Sequence, residues 1–470
     1  MTTGTVSTDK PNIQDGIDRI VVINDLSSPM GGASALAVAS ARALSARGHA
    51  VTILAGDRVD VEAWAGSGVS CVGLGAGRLL ARGFGSALRD GLWNRAAFTL
   101  VRDWIAQNDT PRTVYHLHGW SQILSPAVFA ALTPVRERLV ISAHDFFLAC
   151  PNGAFADLHT GAPCPHRPLG PGCLIAACDR RGRAHKLWRI ARAMIQRAVY
   201  RPGASPPVLA IHAAMKPYLR RVGIPDHAIH TLPNPVMPFS RTRIPAETNR
   251  EFLFVGRLEE TKGPDLALEA AARAGVPICI VGDGVLAPTL RERYPQARFT
   301  GRLAPDQIAE IAARARALIM PSRYPEPYGL VAMEAALSGL PVVLPHSALL
   351  ADDLVASGAA LAADPRDPAA LGAMLRQLAD DDSLVCRMSH AAFEKTAALA
   401  HSPEGWIDAL VGHYTARLDR TGRAVQAAGD EPSRLLWPAG AKLRASAAVA
   451  APNGRTPVDL ARRSRSPMVR

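Results

Sequence analysis

At 470 residues the chain exceeds what one hydrophobic core fills, so two domains are expected, and 48% hydrophobic with 20% charged residues marks a globular protein rather than a disordered or fibrous one. No apolar run of roughly 18 residues is free of charge, which excludes a membrane-spanning helix. The opening MTTGTVSTDKPNIQDG has no apolar signal core, so a cytoplasmic location with seven reduced cysteines is expected. The net charge of +12 is local: residues 180–221 hold eleven Lys or Arg and no Asp or Glu, and residues 421–470 hold nine basic against three acidic residues. Such blocks suit anionic lipid, nucleic acid or plain solvation. Nucleic acid is set aside, because the first block offers only Trp188, Tyr200 and Tyr218 for stacking.

Residues 1–16 read as a disordered tail. RIVVIN at 19–24 is a buried-type strand, SSPMGGAS at 27–34 is a loop, the Ala-rich run after it is a helix ended by Gly48, and VTILA at 51–55 is the next strand. This βαβ unit lacks G-x-G-x-x-G and is no dinucleotide fingerprint, yet Gly31 and Gly32 let backbone amides come close to a phosphate. VYHLH at 114–118 and LVISAH at 139–144 are further strands. They set His116, His118 and His144 near carboxyl ends, where an open α/β sheet meets its ligand. A hydrogen-bonded structural imidazole is the competing role for each. Residues 150–178 carry Cys150, Cys164, Cys173 and Cys178 without any C-x2-C pair, so a small structural zinc site and a loop of reduced thiols stand as equal alternatives. Residues 185–201 form a basic amphipathic helix, with Leu187, Ile190, Met194, Ile195 and Ala198 on one face and Arg189, Arg192 and Arg197 elsewhere. Packing of that apolar face on a sheet is favoured over a berth on an anionic membrane surface.

A new strand opens at residue 251 and ends at Gly256; Arg257 and Lys262 follow, and a helix begins near Pro264. Two cations at a strand's carboxyl end can clamp a pyrophosphate, arginine as a planar fork and lysine as a point charge. Farther on, residues 321–345 read PSRYPEPYGLVAMEAALSGLPVVLP. Glu326 lies on a loop with Pro327 and Gly329. Glu334 lies in the first turns of a helix that Gly339 ends, and residues 340–344 are a short buried strand. The amides of Gly329, Leu330 and Val331 are the orphan donors of that helix start, a ready anion site.

The E-x7-E spacing within EPYGLVAME, GRL at 256–258 with Lys262 and Gly263 after it, the Gly31–Gly32 loop and SAHDFF at 142–147 together resemble the retaining glycosyltransferases of family 4, group 1, over roughly residues 17–420. The resemblance implies the GT-B fold, two facing doubly wound Rossmann-like α/β domains with a cleft between them. It implies an acceptor-side domain at 17–235 carrying the Cys-rich insertion 150–178 near the cleft mouth, and a linker at 236–250. A donor-binding domain at 251–403, a crossover helix at 404–420 and a disordered basic tail at 421–470 would follow.

The activity so implied is transfer of a sugar, with retained configuration, from a nucleoside diphosphate sugar to a carbohydrate or lipid-linked acceptor. The implied setting is polysaccharide or glycolipid assembly, with no metal or other cofactor; peripheral contact with an anionic membrane at its inner face is the alternative that the 185–201 helix raises. Glu326 and His144 take catalytic places in that scheme. Gly31, Gly32, Arg257, Lys262, Gly329, Leu330 and Val331 face the donor diphosphate, and Glu334 the ribose. One departure follows residues 344–345, where HSALLADDLV replaces the usual glycine pair and Glu and leaves the donor sugar open. The alternatives are a sugar-nucleotide epimerase and a non-catalytic carbohydrate- or lipid-surface binding protein. The intact Arg257, Lys262, Glu326 and Glu334 speak against both.

Overall fold

The computed structural model describes residues 16–427, with side chains to residue 421. Residues 1–15 and 428–470, which hold most of the two expected tails, lie outside the described residues. The first sheet comprises β1 (Arg19–Asn24), β2 (Val51–Ala55), β3 (Ser70–Gly73), β4 (Thr113–Leu117), β5 (Leu139–Ala143), β6 (Val208–Ala210) and β7 (Ile229–Thr231). Its order is β3-β2-β1-β4-β5-β6-β7, with every pair parallel. The second comprises β8 (Glu251–Val255), β9 (Ile278–Val281), β10 (Arg298–Gly301), β11 (Ala315–Ile319), β12 (Val342–Pro345) and β13 (Ala360–Ala363). Its order is β10-β9-β8-β11-β12-β13, again all parallel. Helices cover both faces of such sheets, which is why β2, β4 and β5 are buried along their whole length and β1 along all but Arg19.

In each sheet the strand order reverses beside the first strand, at β1/β4 and at β8/β11. Ligands of doubly wound sheets bind at such switch points. The Gly31–Gly32 loop follows β1, and Arg257 and Lys262 follow β8, so each stands at its own sheet's switch point.

The last helix, Pro403–Ala427, runs past the expected end at residue 420, because Arg423, Ala424, Gln426 and Ala427 are good helix formers and carry it through Gly422. Trp406, Ile407, Leu410, Tyr414 and Leu418 bury themselves with Ile20, Val22, Ile53 and Val140 of the first sheet. The chain thus returns to its first domain. Where the two domains touch, His212 Nε2 meets Asp353 Oδ2 at 2.9 Å, Arg180 meets Glu260 at 2.8 Å, and the Tyr324 hydroxyl donates to the Leu158 carbonyl at 2.8 Å.

The helix Arg183–Tyr200 corrects the sequence expectation. Its buried face is mixed, with Lys186, Arg192 and Gln196 buried beside Ile190 and Tyr200, while Leu187 and Met194 are 63% and 58% exposed. The reason lies in what it packs against. Arg192 Nε donates to the Gly91 carbonyl at 2.8 Å and its Nη2 to the Trp120 carbonyl at 3.2 Å. Gln196 accepts from the Trp120 indole at 2.9 Å and donates to the Phe147 carbonyl at 2.9 Å. Loop carbonyls that need donors outcompete apolar burial here. Arg192→Met removes those donors and the positive charge facing Asp25 and Asp145; it is expected to cost about 3 kcal/mol. A lowered urea midpoint with an unchanged slope checks this.

Candidate active site

Lys262 closes a short helical turn, Glu260–Lys262, and Gly263 then adopts φ 67°. A Cβ on Gly263 would sit 2.3 Å from the Pro321 carbonyl oxygen, so glycine alone lets this turn lie against the 321–326 loop. That approach makes the central contact. Lys262 Nζ donates to Glu326 Oε2 at 2.7 Å, and Ser322 Oγ donates to the same oxygen at 3.1 Å. Arg323 braces the loop by gripping both carboxylate oxygens of Asp265 and the Glu260 carbonyl. From the other side, the Leu349 amide donates to the Glu326 carbonyl at 3.0 Å. The residues replacing the expected glycine pair therefore pin the Glu326 backbone.

Gly329 turns the chain from this loop into the helix Leu330–Leu337 with φ 76°, in the left-handed region that L-residues avoid. The amides that open this helix have no intrahelical acceptors and carry its positive dipole end. A Cβ position on Gly32 lies 3.8 Å from Leu330 Cδ1, so the first domain's glycine loop directly faces the second domain's helix start. Lys262, Glu326, Gly329, Leu330 and Gly32 are thus brought together, with the exposed Gly31 beside them and Val331 one residue into the helix. Arg257 is not part of this cluster's bonding: it pairs with Glu259 at 2.7 Å and its side chain is 67% exposed. Glu334 lies on the same helix, and burial pushes its carboxyl up to about 7.

His144 follows β5 and is half-buried, whereas His116 and His118 sink to 0% and 3% exposure and leave the cleft. His118 Nδ1 meets His144 Nε2 at 3.0 Å, and His118 Nε2 meets His116 Nδ1 at 3.1 Å. Burial holds His144 down to about 4 and His116 to about 3, with His118 also well below its usual range. All three are neutral at physiological pH.

Two carboxylates escaped the sequence reading. Asp25, after β1, accepts the amides of Gln122, Ile123 and Leu124, each at 2.8 Å, and burial raises its pKa. Asp145 adjoins His144; its own burial pushes it up to about 6, against the Phe147 amide it accepts. Their position just past strand ends was the available signal. In the Cys-rich insertion the Lys186 ammonium lies 2.9 Å from Cys178 Sγ and 3.8 Å from Cys173 Sγ. Among the described residues no group of three or more His, Cys, Asp or Glu is placed to hold a metal ion, and the lysine sits against two of the four thiols.

Glu334 carries a pH signature. Between its ordinary value of 4.5 and about 7 the folded state keeps a proton that the unfolded chain loses, so stability falls as pH rises through that window. Glu334→Gln has no such penalty. It is expected to be more stable than the parent by about 2 kcal/mol at pH 8 and equal to it near pH 4. Thermal melts across that range decide it.

The chain matches the description "Glycosyltransferase Family 4" over residues 30–238 and "Glycosyl transferases group 1" over residues 238–395. It is 34% identical over 169 residues to the glycogen synthase of Mycobacterium tuberculosis, a stretch covering 34% of this chain and 40% of that protein. It is 32% identical over 217 residues to the D-inositol 3-phosphate glycosyltransferase of Geodermatophilus obscurus, covering 41% and 46%. Both alignments span less than half of the relative's length. Among solved structures, HepE of Anabaena in complex with UDP superposes with a TM-score of 0.58 at 14% identity, covering 87% of this chain and all of that one. WaaG, a glycosyltransferase involved in lipopolysaccharide biosynthesis, gives 0.57 at 17% identity, covering 84% and 99%. These likenesses, with the two parallel sheets and the residues gathered between them, place the chain in the GT-B glycosyltransferases of group 1, family 4.

Proposed function

We propose that the protein transfers a sugar from a nucleoside diphosphate donor to a hydroxyl of a carbohydrate or lipid-linked acceptor, with retained configuration, in polysaccharide or glycolipid assembly. The observation that carries this reading is the 2.7 Å Lys262–Glu326 pair at the mouth of the Leu330–Leu337 helix. A cation, an anion-seeking helix start and a hydroxyl-binding carboxylate there converge on one place. In the reaction the anomeric C–O bond breaks and its electron pair passes to the diphosphate. Lys262 and the helix amides meet the growing charge, and Arg257 reaches it from the rim. The acceptor oxygen bonds to the anomeric carbon on the face being vacated, and its proton passes to the leaving phosphate oxygen. Glu326, released from Lys262, accepts hydrogen bonds from sugar hydroxyls and favours positive charge at the anomeric carbon. Glu334 accepts from the ribose hydroxyls, and His144 stands beside the sugar. The charges required are the chain's own, so the reading calls for neither a metal nor another cofactor. UDP bound to HepE supports a uridine nucleotide as the first donor to test.

Glu326→Gln is expected to cut transfer at least a hundredfold while nucleotide affinity stays within about threefold. Lys262→Ala is expected to weaken diphosphate binding itself by about tenfold or more. Thermal shifts against uridine, guanosine and adenosine diphosphates and their sugars, with Glu334→Ala alongside, read both. A shift for one base that Glu334→Ala loses supports the donor site; no shift with any nucleotide favours the non-catalytic alternative.

The acceptor side faces an anionic membrane in this reading. Ala184, Leu187, Ala191, Met194 and Ala198 form an outward stripe on the Arg183–Tyr200 helix, bordered by the exposed Arg183 and Arg197. Leu80, Phe84 and Leu88, exposed on the neighbouring segment, extend it, since the Trp188 indole donates to the Leu88 carbonyl at 2.9 Å. Apolar anchors ringed by arginines suit an anionic bilayer surface. Vesicles containing phosphatidylglycerol are expected to bind the protein, less so as salt rises. Leu187→Glu with Met194→Glu should abolish that binding while leaving the nucleotide shift intact; salt-insensitive binding or none would remove the membrane from the scheme.

A further inference from the structure

Lys186 sits in the first turns of the Arg183–Tyr200 helix and is only 4% exposed. A buried ammonium ordinarily takes a carboxylate. The nearest acid in sequence, Asp179, is engaged elsewhere: Arg189 Nε lies 3.0 Å from its Oδ2, and its Oδ1 accepts from His185 and from the Arg181 amide, each at 3.0 Å. Lys186 Nζ turns to sulfur instead, 2.9 Å from Cys178 Sγ and 3.8 Å from Cys173 Sγ. Sulfur is larger than oxygen, yet the nearer contact has the ordinary length of an N–H···O bond, closer than a hydrogen bond to sulfur needs. Asn152 Nδ2 reaches the same sulfur at 3.5 Å, and its Oδ1 accepts from Cys150 Sγ at 3.1 Å. Cys178 thus has polar surroundings and a cation against it, the setting of a reactive thiol rather than of an inert one in an apolar core.

We propose that Lys186 and Cys178 form a redox modification site, at which peroxide joins the lysine nitrogen to the cysteine sulfur through one bridging oxygen. The chemistry balances with two peroxides. The first oxidises the Cys178 thiol: a sulfur–oxygen bond forms, the peroxide O–O bond breaks, water leaves, and a sulfenic acid remains. The Lys186 ammonium gives a proton to solvent, and the second peroxide oxidises the amine in the same way, forming a nitrogen–oxygen bond and a second water. The two new hydroxyls condense with loss of a third water, and one oxygen stays between nitrogen and sulfur. From a 2.9 Å starting distance, that oxygen bonds to both atoms with little movement of either side chain.

The link fastens the end of the Cys-rich insertion to the Arg183–Tyr200 helix. That end lies close to the candidate active site. The Cys178 carbonyl accepts the Leu158 amide at 3.1 Å, the Leu158 carbonyl accepts the Tyr324 hydroxyl at 2.8 Å, and Arg180 holds Glu260 at 2.8 Å. The modification site rests on these contacts and not on the reading of the transfer reaction.

The test treats the full chain with hydrogen peroxide, quenches it in acid and reads tryptic peptides by mass spectrometry. The expected product joins the peptides bearing Cys178 and Lys186 with a net gain of about 14 Da, one oxygen added and two hydrogens lost. Dithiothreitol is expected to separate the peptides and restore their masses. Cys178→Ser and Lys186→Arg should each lose the joined product. A disulfide from Cys178 to Cys173 or Cys150, read as a loss of about 2 Da, overturns the inference. So does a ladder of added oxygens on Cys178 without a joined peptide, a joined product that dithiothreitol leaves intact, or a Cys178 that peroxide does not alter. These outcomes are all read on the parent chain, so a variant that fails to fold does not protect the proposal.

Discussion

The ion pair of Lys262 and Glu326 joins the turn after β8 to the loop that leads into the Leu330–Leu337 helix. Neither group is free to stand alone, because a half-buried charge without a partner carries a desolvation penalty that the pair largely cancels. The pairing keeps both groups in place without ligand. On the proposed reading, an arriving diphosphate takes the carboxylate's place on the lysine, and sugar hydroxyls take the ammonium's place on the carboxylate. The site exchanges partners instead of stripping each charge from water, and most of the ordering is complete beforehand. Gly263, Ser322, Arg323 and the Leu349 amide all serve this geometry, since each fixes one side of the loop that carries Glu326.

The same geometry explains what the sequence disclosed. β1 and β2 were legible because their apolar runs are bounded by small and polar residues. That Lys262, Glu326 and Gly329 would lie together was legible because Gly263 and Gly329 mark turns with positive φ on either side of the pair. The helix Arg183–Tyr200 was misjudged for a physical reason: periodicity says which residues share a face, and it does not say what waits on the other side. The partners of Lys186, Arg192 and Gln196 come from Gly91, Trp120, Phe147 and Cys178, four separate segments of the chain. His116 and His118 were set near the cleft by the strand-end rule, and Tyr414 covers that end from 298 positions away. Asp25 and Asp145 were visible as residues, but their backbone partners were not.

The relative setting of the two sheets rests on unequal ties. The contacts His212–Asp353 and Arg180–Glu260 involve partners up to 46% and 57% exposed, and charged contacts of that kind contribute little individually. The last helix buries Trp406, Ile407, Leu410, Tyr414 and Leu418 against the first sheet, a far larger apolar surface. The tie of the last helix to the first sheet is thus stronger than either of these charged contacts. On the proposed reading, weak charged ties suit a site that opens to admit a donor and then excludes water. The Cys-rich insertion takes part in it, since Leu158 receives the Tyr324 hydroxyl from the loop that bears Glu326.

Glu334 shows where the fold gives up stability for this site. An isolated carboxyl on a buried helix face is costly to ionise, and burial leaves it near half-ionised at neutral pH. A ligand hydroxyl pair donating to it would favour the charged form and lower its pKa, so nucleotide binding and proton release are linked. The carboxyl's burial therefore weakens the empty protein and is offset only in the occupied one. A glutamine there would relieve the fold yet offer a single acceptor oxygen where two hydroxyls must be held. On the proposed reading the strain persists because the ribose hydroxyl pair this carboxyl would hold is common to ribonucleotide donors.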